Sequence, residues 1–263
     1  MPDTAVQSAP AQTVAPWTLM PCTLDNGPAA NVAIGLVALA TDLVIEPELY
    51  TFLPRDSIGV YSSRIPMAPV LTVQALNDME KDLTKVAQGI LPDDKVDVMA
   101  FGCTSGSMAI GPDKVREHIQ KAKPGLPVTN PVTASIEGLR KLGAKRIALI
   151  TPYPDHVNAV VEKFVASNGF DIVARGSFKR HGDPEICRIP PEDIYRAGVA
   201  LGKADVDALF LSCTALRCSS VIQRIEDEIG KPVVTSNQAL AWHCMRLGGY
   251  TKPVKGFGKL MTV

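Results

Sequence analysis

Two distant segments of this chain repeat one pattern, and that repetition restricts the possible fold more than any other feature. The first copy reads VDVMAFGCTSGS over Val96–Ser107 and reaches LPVTN at Leu126–Asn130 after an amphipathic stretch. The second reads VDALFLSCTALR over Val206–Arg217 and reaches KPVVTSN at Lys231–Asn237. A unit of strand, Cys-Thr turn, helix and Pro-Val strand that occurs twice predicts two lobes related by a pseudo-two-fold axis.

Short runs of Val, Ile, Leu and Ala alternate with amphipathic segments along the whole chain. Runs that are apolar throughout are typical of strands buried on both faces of a parallel sheet. Strands that alternate with helices indicate an α/β fold. We therefore predict two pseudo-symmetric lobes, each a parallel sheet flanked by helices. The predicted strands are Val32–Leu39, Val96–Phe101, Val128–Thr129, Arg146–Ile150, Phe170–Ala174, Ala208–Leu211 and Val233–Thr235.

The repeat also predicts the domain boundaries. Lobe 1, with the Cys103 turn, is expected to comprise residues 31–131 plus 237–263, and lobe 2, with the Cys213 turn, residues 132–236. Residues 1–30 are rich in Ala, Pro, Gln and Thr and lack the pattern of a signal or transit peptide. We expect them to form a flexible tail, or else an arm that packs on a neighbouring subunit of a homo-oligomer.

The charge balance excludes several classes of partner. Lys and Arg total 27 and Asp and Glu also total 27. An even balance without a basic run indicates no nucleic-acid partner. No stretch approaches the ~20 apolar residues that span a bilayer, so we expect no membrane partner.

Six cysteines occur, at positions 22, 103, 187, 213, 218 and 244, without a CxxC pair. A chain of this size with scattered cysteines does not indicate a disulfide framework, and the spacing of Cys213 and Cys218 does not indicate a zinc site. Reduced thiols in a cytoplasmic protein are the natural expectation. Only Cys103 and Cys213 share the repeated context, so they are the candidate reactive pair, and the other four are expected to be packing or tail residues.

Ligands of parallel sheets bind beyond the carboxyl ends of the strands, so both Cys-Thr turns are expected to face one interlobe cleft. If each turn begins a helix, its free N–H groups favour a bound carboxylate and lower the cysteine pKa. Thr104, Ser105 and Thr214 add hydroxyl donors. One thiolate could then remove a proton beside the carboxylate while the other thiol delivers one from the far side. Alternatively, one thiolate could add to a carbon–carbon double bond and leave after rotation.

The segments FGCTSGS, PVTNP, ITPY and PVVTSNQALAW resemble the aspartate/glutamate racemase superfamily, in the branch of maleate cis-trans isomerases and arylmalonate decarboxylases. The resemblance extends from about Ile34 to Gly249. It implies two lobes, no metal and no organic cofactor, and a thiol on each side of a small carboxylate substrate. Arylmalonate decarboxylases keep one of the two cysteines, so the presence of both favours racemisation or isomerisation. Tyr153 lies where maleate isomerases place a substrate-binding tyrosine.

Two departures from the family pattern bear on the substrate. Asp42, in LATDLVIE, and Asp183, in RHGDPEICR, stand where maleate isomerases carry asparagines. An ionised aspartate accepts hydrogen bonds but cannot donate them, so it would repel a dianion and hold an ammonium group. Asp42 could instead cap the following helix. The chain also resembles racemase-like proteins of ectoine utilisation, which implies a diamino acid derivative as a possible substrate.

The sequence therefore predicts an isomerase without cofactor that acts on the carbon α to a carboxylate, most simply an amino-acid racemase. A maleate cis-trans isomerase is the first alternative, and an arylmalonate decarboxylase-like enzyme or a non-catalytic carboxylate sensor are further ones. Arg64 could reach the cleft from a loop, and Arg217 could contact a carboxylate. The predicted catalytic residues are Cys103 and Cys213, with no metal ligands, and the predicted substrate-binding residues are Asp42, Thr104, Ser105, Asn130, Tyr153, Asp183, Thr214 and Ala215.

Overall fold

A computed structural model describes residues 16–263 of the chain. Residues 1–15 of the predicted tail lie outside the described part. Residues 16–30 form no helix or strand and are almost entirely exposed.

Four parallel strands form the first sheet, in the order β2-β1-β3-β4. They are β1 (Val32–Leu39), β2 (Ile58–Ile65), β3 (Val98–Gly102) and β4 (Val128–Thr129). Connecting helices are α1 (Ile45–Phe52), α2 (Val73–Asp78), α3 (Leu83–Gln88), α4 (Thr104–Ile110) and α5 (Pro112–Ala122), with a 3-10 turn at Met79–Asp82.

The second sheet repeats this topology, in the order β6-β5-β7-β8. Its strands are β5 (Arg146–Thr151), β6 (Asp171–Ser177), β7 (Ala208–Leu211) and β8 (Val233–Thr235). The helices are α6 (Pro131–Lys141), α7 (Asp155–Ser167), α8 (Asp183–Ile186), α9 (Pro191–Gly202), α10 (Ile222–Ile229) and α11 (Ser236–Leu247), followed by a 3-10 turn at Lys259–Thr262. Two sheets of equal strand order confirm the predicted fold class.

The aspartate of each repeat has a structural task that explains why it recurs. Asp97 precedes β3, and its carboxylate accepts a hydrogen bond from Ala33 N–H at 2.8 Å. Asp207 precedes β7 and accepts from Lys145 and Arg146 N–H at 2.9 and 2.8 Å. Each carboxylate thus joins the start of the cysteine-bearing strand to the start of its central neighbour, which sets the register in both sheets.

Strand β2 was missed by the sequence pattern. It lies at the edge of the first sheet, where its side chains alternate between buried and partly exposed rather than being apolar throughout. An edge strand therefore lacks the continuous hydrophobicity that identified its neighbours. Arg64 consequently lies in a strand and not in the expected loop.

The last helix joins the two halves. Helix α11 follows β8 of the second sheet, yet it packs against α1, α6 and β3. Thr235 begins it with a capping box, because its side chain accepts from Gln238 N–H while the Gln238 side chain accepts from Thr235 N–H. This crossing places the first turn of α11 next to both Cys-Thr turns.

Candidate active site

Cys103 lies at the carboxyl end of β3 and caps helix α4. Gly106 N–H donates a hydrogen bond to Cys103 Sγ at 3.2 Å, and Ser105 Oγ lies 3.9 Å from the same sulfur. A Cβ atom at residue 106 would stand only 2.8 Å from that sulfur and 2.6 Å from Met79 Cε. Glycine at this position is what lets the sulfur sit against the first turn of the helix.

Cys213 follows β7, but the helix expected after it does not form. Residues 212–221 contain neither helix nor strand, and α10 begins only at Ile222. The prediction of a helix start at Cys213 was therefore wrong. Ala215 N–H, at 3.4 Å, still donates to Cys213 Sγ, so a turn supplies one of the contacts a helix would give.

The two thiols share the same neighbours, although they come from different sheets. Tyr153 is buried between β5 and α7. Its hydroxyl interacts with Cys213 and Ser105, and Cys103 is close enough to raise its pKa electrostatically. The carboxylates of Asp42 and Asp183 act on both sulfurs. Cys103 and Cys213 are 4% and 5% exposed. One buried site at the junction of the lobes therefore contains both sulfurs.

Burial changes the acidity of these thiols in the direction opposite to the sequence prediction. Burial first, and then the charge of Asp183, raises the pKa of Cys103 to about 12. The same two causes raise the pKa of Cys213 well above its ordinary value. The hydrogen bonds from Gly106 and Ala215 stabilise the thiolates and so lower the pKa values, but they do not outweigh desolvation. Both thiols are thus protonated near neutral pH.

Asp42 uses one of its two carboxylate oxygens at the start of α1, whereas the other has no partner there. Its Oδ1 accepts from Val44 and Ile45 N–H at 2.7 and 3.0 Å, which caps the start of α1. Its Oδ2 is buried and has no hydrogen-bond partner among residues 16–263, although the Thr214 hydroxyl is near enough to lower its pKa. Burial nevertheless raises the pKa of Asp42 above its usual value. A buried oxygen without a donor is costly, and here it lies beside the two thiols.

Asp183 begins α8 and approaches the site from the second lobe. Thr41 Oγ1 donates a hydrogen bond to Asp183 Oδ2, so residues adjacent to Asp42 also hold Asp183. Burial, together with the nearby charge of Asp42, raises the pKa of Asp183 to about 6. A carboxyl group whose pKa is raised by a neighbouring carboxylate lies in a site that favours positive charge.

The remaining predicted residues divide into two groups. Thr104 and Thr214 are buried beside their cysteines, and Thr104 Oγ1 donates to Ser236 Oγ at 2.9 Å. Asn130 instead caps α6, because its Oδ1 accepts from the N–H groups of Val132 and Thr133 at 3.1 and 2.9 Å. Its side-chain oxygen is therefore already committed to the helix and not free for a substrate.

The two arginines act on the backbone. Arg64 Nη1 donates to the carbonyl oxygens of Leu39 and Asp42 at 3.0 and 2.8 Å, and it forms an ion pair with Glu46. Arg217 donates to the carbonyl of Ile189 at 2.9 Å through Nη2. Both side chains stabilise loops around the site. Neither side chain is directed by these contacts at a substrate carboxylate.

The sequence prediction missed one cluster at this site. Glu48 in α1 is 4% exposed, and it accepts hydrogen bonds from Ser219 N–H at 2.6 Å and Asn237 Nδ2 at 3.1 Å. Burial raises its pKa to about 7. An acidic residue inside an amphipathic helix resembles a surface position, so only the packing of α1 against α11 reveals that Glu48 is buried.

Two further classes of site find no support in the described part of the chain. Residues 16–263 contain no group of three or more His, Cys, Asp or Glu side chains arranged to hold a metal ion. Among the same residues, none of the helices has both the length and the apolar character needed to cross a membrane.

The chain matches a family model described as arylmalonate decarboxylase over residues 43–261, which covers both Cys-Thr turns and α11. This chain belongs to the arylmalonate decarboxylase family. The resemblance to the branch of maleate isomerases and arylmalonate decarboxylases is thereby confirmed.

Relatives in this family have two kinds of activity. A maleate isomerase of Geobacillus stearothermophilus is 26% identical over 249 residues, which cover 89% of this chain and 98% of the relative. An arylmalonate decarboxylase of Bordetella bronchiseptica is 35% identical over 139 residues, which cover 52% and 58% of the two chains. Among solved structures, a cysteine-to-serine variant of the Nocardia farcinica maleate cis-trans isomerase carries a covalently bound succinylcysteine intermediate. The two structures superpose with a TM-score of 0.80 at 25% sequence identity. The matched region covers 88% of this chain and 98% of the Nocardia farcinica chain.

Proposed function

We propose that this member of the arylmalonate decarboxylase family is a cofactor-independent isomerase of a small, amino-bearing carboxylate, with Cys103 and Cys213 as its acid/base pair. The observation that carries the proposal is the shared set of neighbours. Tyr153, Asp42 and Asp183 all act on both sulfurs. Two thiols in one buried site can address opposite faces of a single carbon.

The proposed racemisation needs a proton transfer at each face. An ammonium group of the bound substrate would offset the charges of Asp42 and Asp183, which allows one cysteine to lose its proton to solvent. The resulting thiolate takes the α-proton, and the electron pair left on carbon spreads into the carboxylate. The thiol of the other cysteine then delivers its proton to the opposite face. The proton count balances, because one sulfur ends protonated and the other ionised, and the reverse reaction restores the starting state.

Donors around the substrate carboxylate would stabilise the charge as it moves onto oxygen. The buried hydroxyl groups of Ser105 and Thr214 lie in the two turns, whereas Thr104 Oγ1 already donates to Ser236 Oγ. The Tyr153 hydroxyl adds a third donor, and its pKa is raised well above the usual value by burial and by Cys213, so it remains protonated. A protonated phenol can donate a hydrogen bond throughout the reaction.

Two acidic side chains support an amino-bearing substrate. Asp42 Oδ2 is a buried acceptor without a partner in residues 16–263, and Asp183 is the second acceptor at the same site. An ammonium group would satisfy these oxygens by charge-assisted hydrogen bonds. It would also offset the negative charge that raises the pKa of both thiols, whereas a dianion would raise the pKa values further. A diamino acid derivative from ectoine breakdown stays a prediction within this class.

Cis-trans isomerisation of maleate is the second candidate, and the relatives support it better than they support racemisation. Four curated relatives are maleate isomerases. The Nocardia farcinica structure adds a covalent cysteine intermediate in that enzyme. In this chain, the equivalent route would use one thiolate to add to the double bond and the other thiol to protonate the adjacent carbon, and rotation would precede elimination.

Proton exchange in heavy water tests the two candidates against each other. Maleate, aspartate, glutamate, hydantoins and acetylated diaminobutyrates are incubated with the protein, and α-deuterium incorporation and product configuration are followed by NMR and chiral chromatography. Exchange and racemisation of an amino-bearing compound, with no conversion of maleate, would support the proposal. Conversion of maleate to fumarate with no amino-acid exchange would refute it in favour of the second candidate.

Matched variants separate the roles of the thiols and of the acids. Cys103→Ser and Cys213→Ser should each abolish racemisation, while deuterium exchange of one enantiomer survives, because the remaining thiol still serves one face. The double variant Asp42→Asn, Asp183→Asn introduces the asparagines expected from maleate isomerases. It should lose activity on the amino-bearing substrate and gain maleate turnover. Unchanged selectivity in that variant would refute the assigned role of the two acids.

A further inference from the structure

The two thiols of the site have unlike structural supports. Cys103 is the cap of helix α4, whose backbone hydrogen bonds hold it in place. Cys213 belongs to residues 212–221, which have neither helix nor strand. An irregular segment of this length loses much conformational entropy when it is ordered, so side-chain contacts must hold it. The Cys213 turn therefore depends on contacts from other parts of the molecule.

Glu48 supplies contacts to that turn from the other half of the molecule. Its Oε1 accepts from Ser219 N–H at 2.6 Å, and the Ser219 hydroxyl and Cys218 N–H also lie close enough to stabilise the carboxylate. Its Oε2 accepts from Asn237 Nδ2 at 3.1 Å. A carboxylate of helix α1 thus gathers donors from the Cys213 turn and from α11.

Asn237 extends this contact to the residue that follows Cys213. Its Nδ2 donates at the same time to Glu48 Oε2 and to the carbonyl of Thr214 at 2.7 Å. The next residue, Ala215, donates its N–H to Cys213 Sγ. Glu48 is therefore connected to the turn in two places, directly at Ser219 and through Asn237 at the carbonyl of Thr214. That carbonyl belongs to the same peptide group as the Ala215 N–H that donates to the sulfur.

We propose that Glu48 is a positioning residue that holds the Cys213 turn from the opposite lobe, through Ser219 and Asn237, and so sets the placement of the second thiol. This deepens the proposed function, since Cys213 is one of the two thiols assigned to acid/base chemistry. The positioning role of Glu48 depends on its hydrogen bonds and not on the identity of the substrate.

The chemistry of the contact requires a carboxylate. A carboxylate only accepts hydrogen bonds, and every group that faces Glu48 here is a donor. In Glu48→Gln the amide NH2 must face either Ser219 N–H or Asn237 Nδ2, so one donor confronts another. The shape of the side chain is retained, but at least one of the contacts to the turn is lost.

Glu226 provides a matched control in the second lobe. It is a partly buried glutamate whose carboxylate accepts from Val233 and Lys259 N–H, both at 2.8 Å. Glu226→Gln removes the same kind of contact without touching either cysteine turn. Any change common to both variants reports on stability, and a change confined to Glu48→Gln reports on the turn.

The test measures alkylation of each thiol by iodoacetamide, with rates read from the separate cysteine peptides by mass spectrometry. Loss of a hydrogen bond to a charged group should raise the rate of Cys213 about tenfold relative to Cys103 in Glu48→Gln. The ratio should be unchanged in Glu226→Gln. Asn237→Ala, which removes the contact to Thr214 and keeps Ser219, should raise the ratio several-fold, and Glu48→Asp should have the smallest effect.

Two results would overturn the inference. An unchanged ratio of Cys213 to Cys103 in folded Glu48→Gln and Asn237→Ala would show that the turn does not need the carboxylate. An equal rise at Cys103, Cys213 and Cys244 would show general loosening in place of positioning. Because alkylation needs no substrate, a protein inactive on every compound of the exchange screen can still support or overturn this inference.

Discussion

Replacing Asp183 by Asn should make both site thiols more acidic. The charge of Asp183 is the second-largest cause, after burial, of the raised pKa of Cys103 and of Cys213. Asparagine has nearly the same shape, and its side-chain oxygen can still accept the hydrogen bond from Thr41. The substitution therefore removes a charge while the local contacts are retained.

The size of the effect follows from the electrostatics of a partly desolvated site. Two like charges about 6 Å apart, at an effective dielectric constant of about 20, repel by about 3 kcal/mol, which equals about two pKa units. With its pKa at about 12, only about one Cys103 thiol in ten thousand is ionised near pH 8. Asp183→Asn should raise that fraction about a hundredfold.

The assay is again peptide-resolved alkylation, now measured as a function of pH. The ratio of the variant rate to the wild-type rate should be about 100 near pH 8 for Cys103. Because the pKa of Asp183 is about 6, its carboxyl group is protonated below that pH, and the ratio should fall towards one. The pH dependence distinguishes removal of a charge from a change of structure.

Asp207→Asn is the matched control, because Asp207 lies at the opposite end of β7 from Cys213 and is exposed. It should leave the alkylation of both thiols unchanged. A ratio of one for Asp183→Asn at every pH would refute the electrostatic account. A raised ratio that does not vary with pH would also refute it, since only a structural change would behave in that way.

Three other predictions concern stability. Gly106→Ala places a Cβ 2.8 Å from Cys103 Sγ, so it should displace that sulfur. The free energy of unfolding in urea should fall by about 1–3 kcal/mol, and the alkylation rate should change at Cys103 alone. Gly182→Ala places a Cβ 2.1 Å from the carbonyl oxygen of Pro69 in the other lobe, so it should lower the midpoint temperature of unfolding. An unchanged midpoint would show that this contact between the lobes is dispensable. The folded-state pKa of Asp183, about 6, lies above its ordinary value of 3.8. The stability that protonation of Asp183 contributes is therefore complete below pH 3.8 and is lost as the pH rises through 6. Asp183→Asn should therefore be more stable than wild type by up to about 3 kcal/mol at neutral pH, with the difference shrinking towards acidic pH.

Much of the architecture follows from hydrophobic pattern and repetition. The runs at Val32–Leu39 and Ala208–Leu211 are strands with the predicted bounds because a strand buried on both faces must be apolar throughout. The repeated Val-Asp and Cys-Thr dipeptides identified the duplicated topology and the two thiols. These are local signals, since each is carried by residues adjacent in the chain.

The properties of the site required distant residues. The sequence predicted acidic thiols from a helix start, whereas burial by both lobes and the charge of Asp183 raise the pKa of each. Desolvation depends on everything that surrounds a group, and those neighbours come from separate parts of the chain. For the same reason the pattern around Asp42 could not decide between a helix cap and a substrate contact. In the structure one oxygen accepts hydrogen bonds at the start of α1, and the other is buried without a partner among residues 16–263.

The sequence by itself determined the class of fold, the pairing of Cys103 with Cys213 and the family, because each depends on which residues follow one another. Only the tertiary structure decided that Cys213 lies in an irregular turn and that Glu48 reaches it across the molecule. Those features arise where α1, α11 and the second sheet pack together. Contacts between residues so far apart in the chain leave no periodic trace in the sequence.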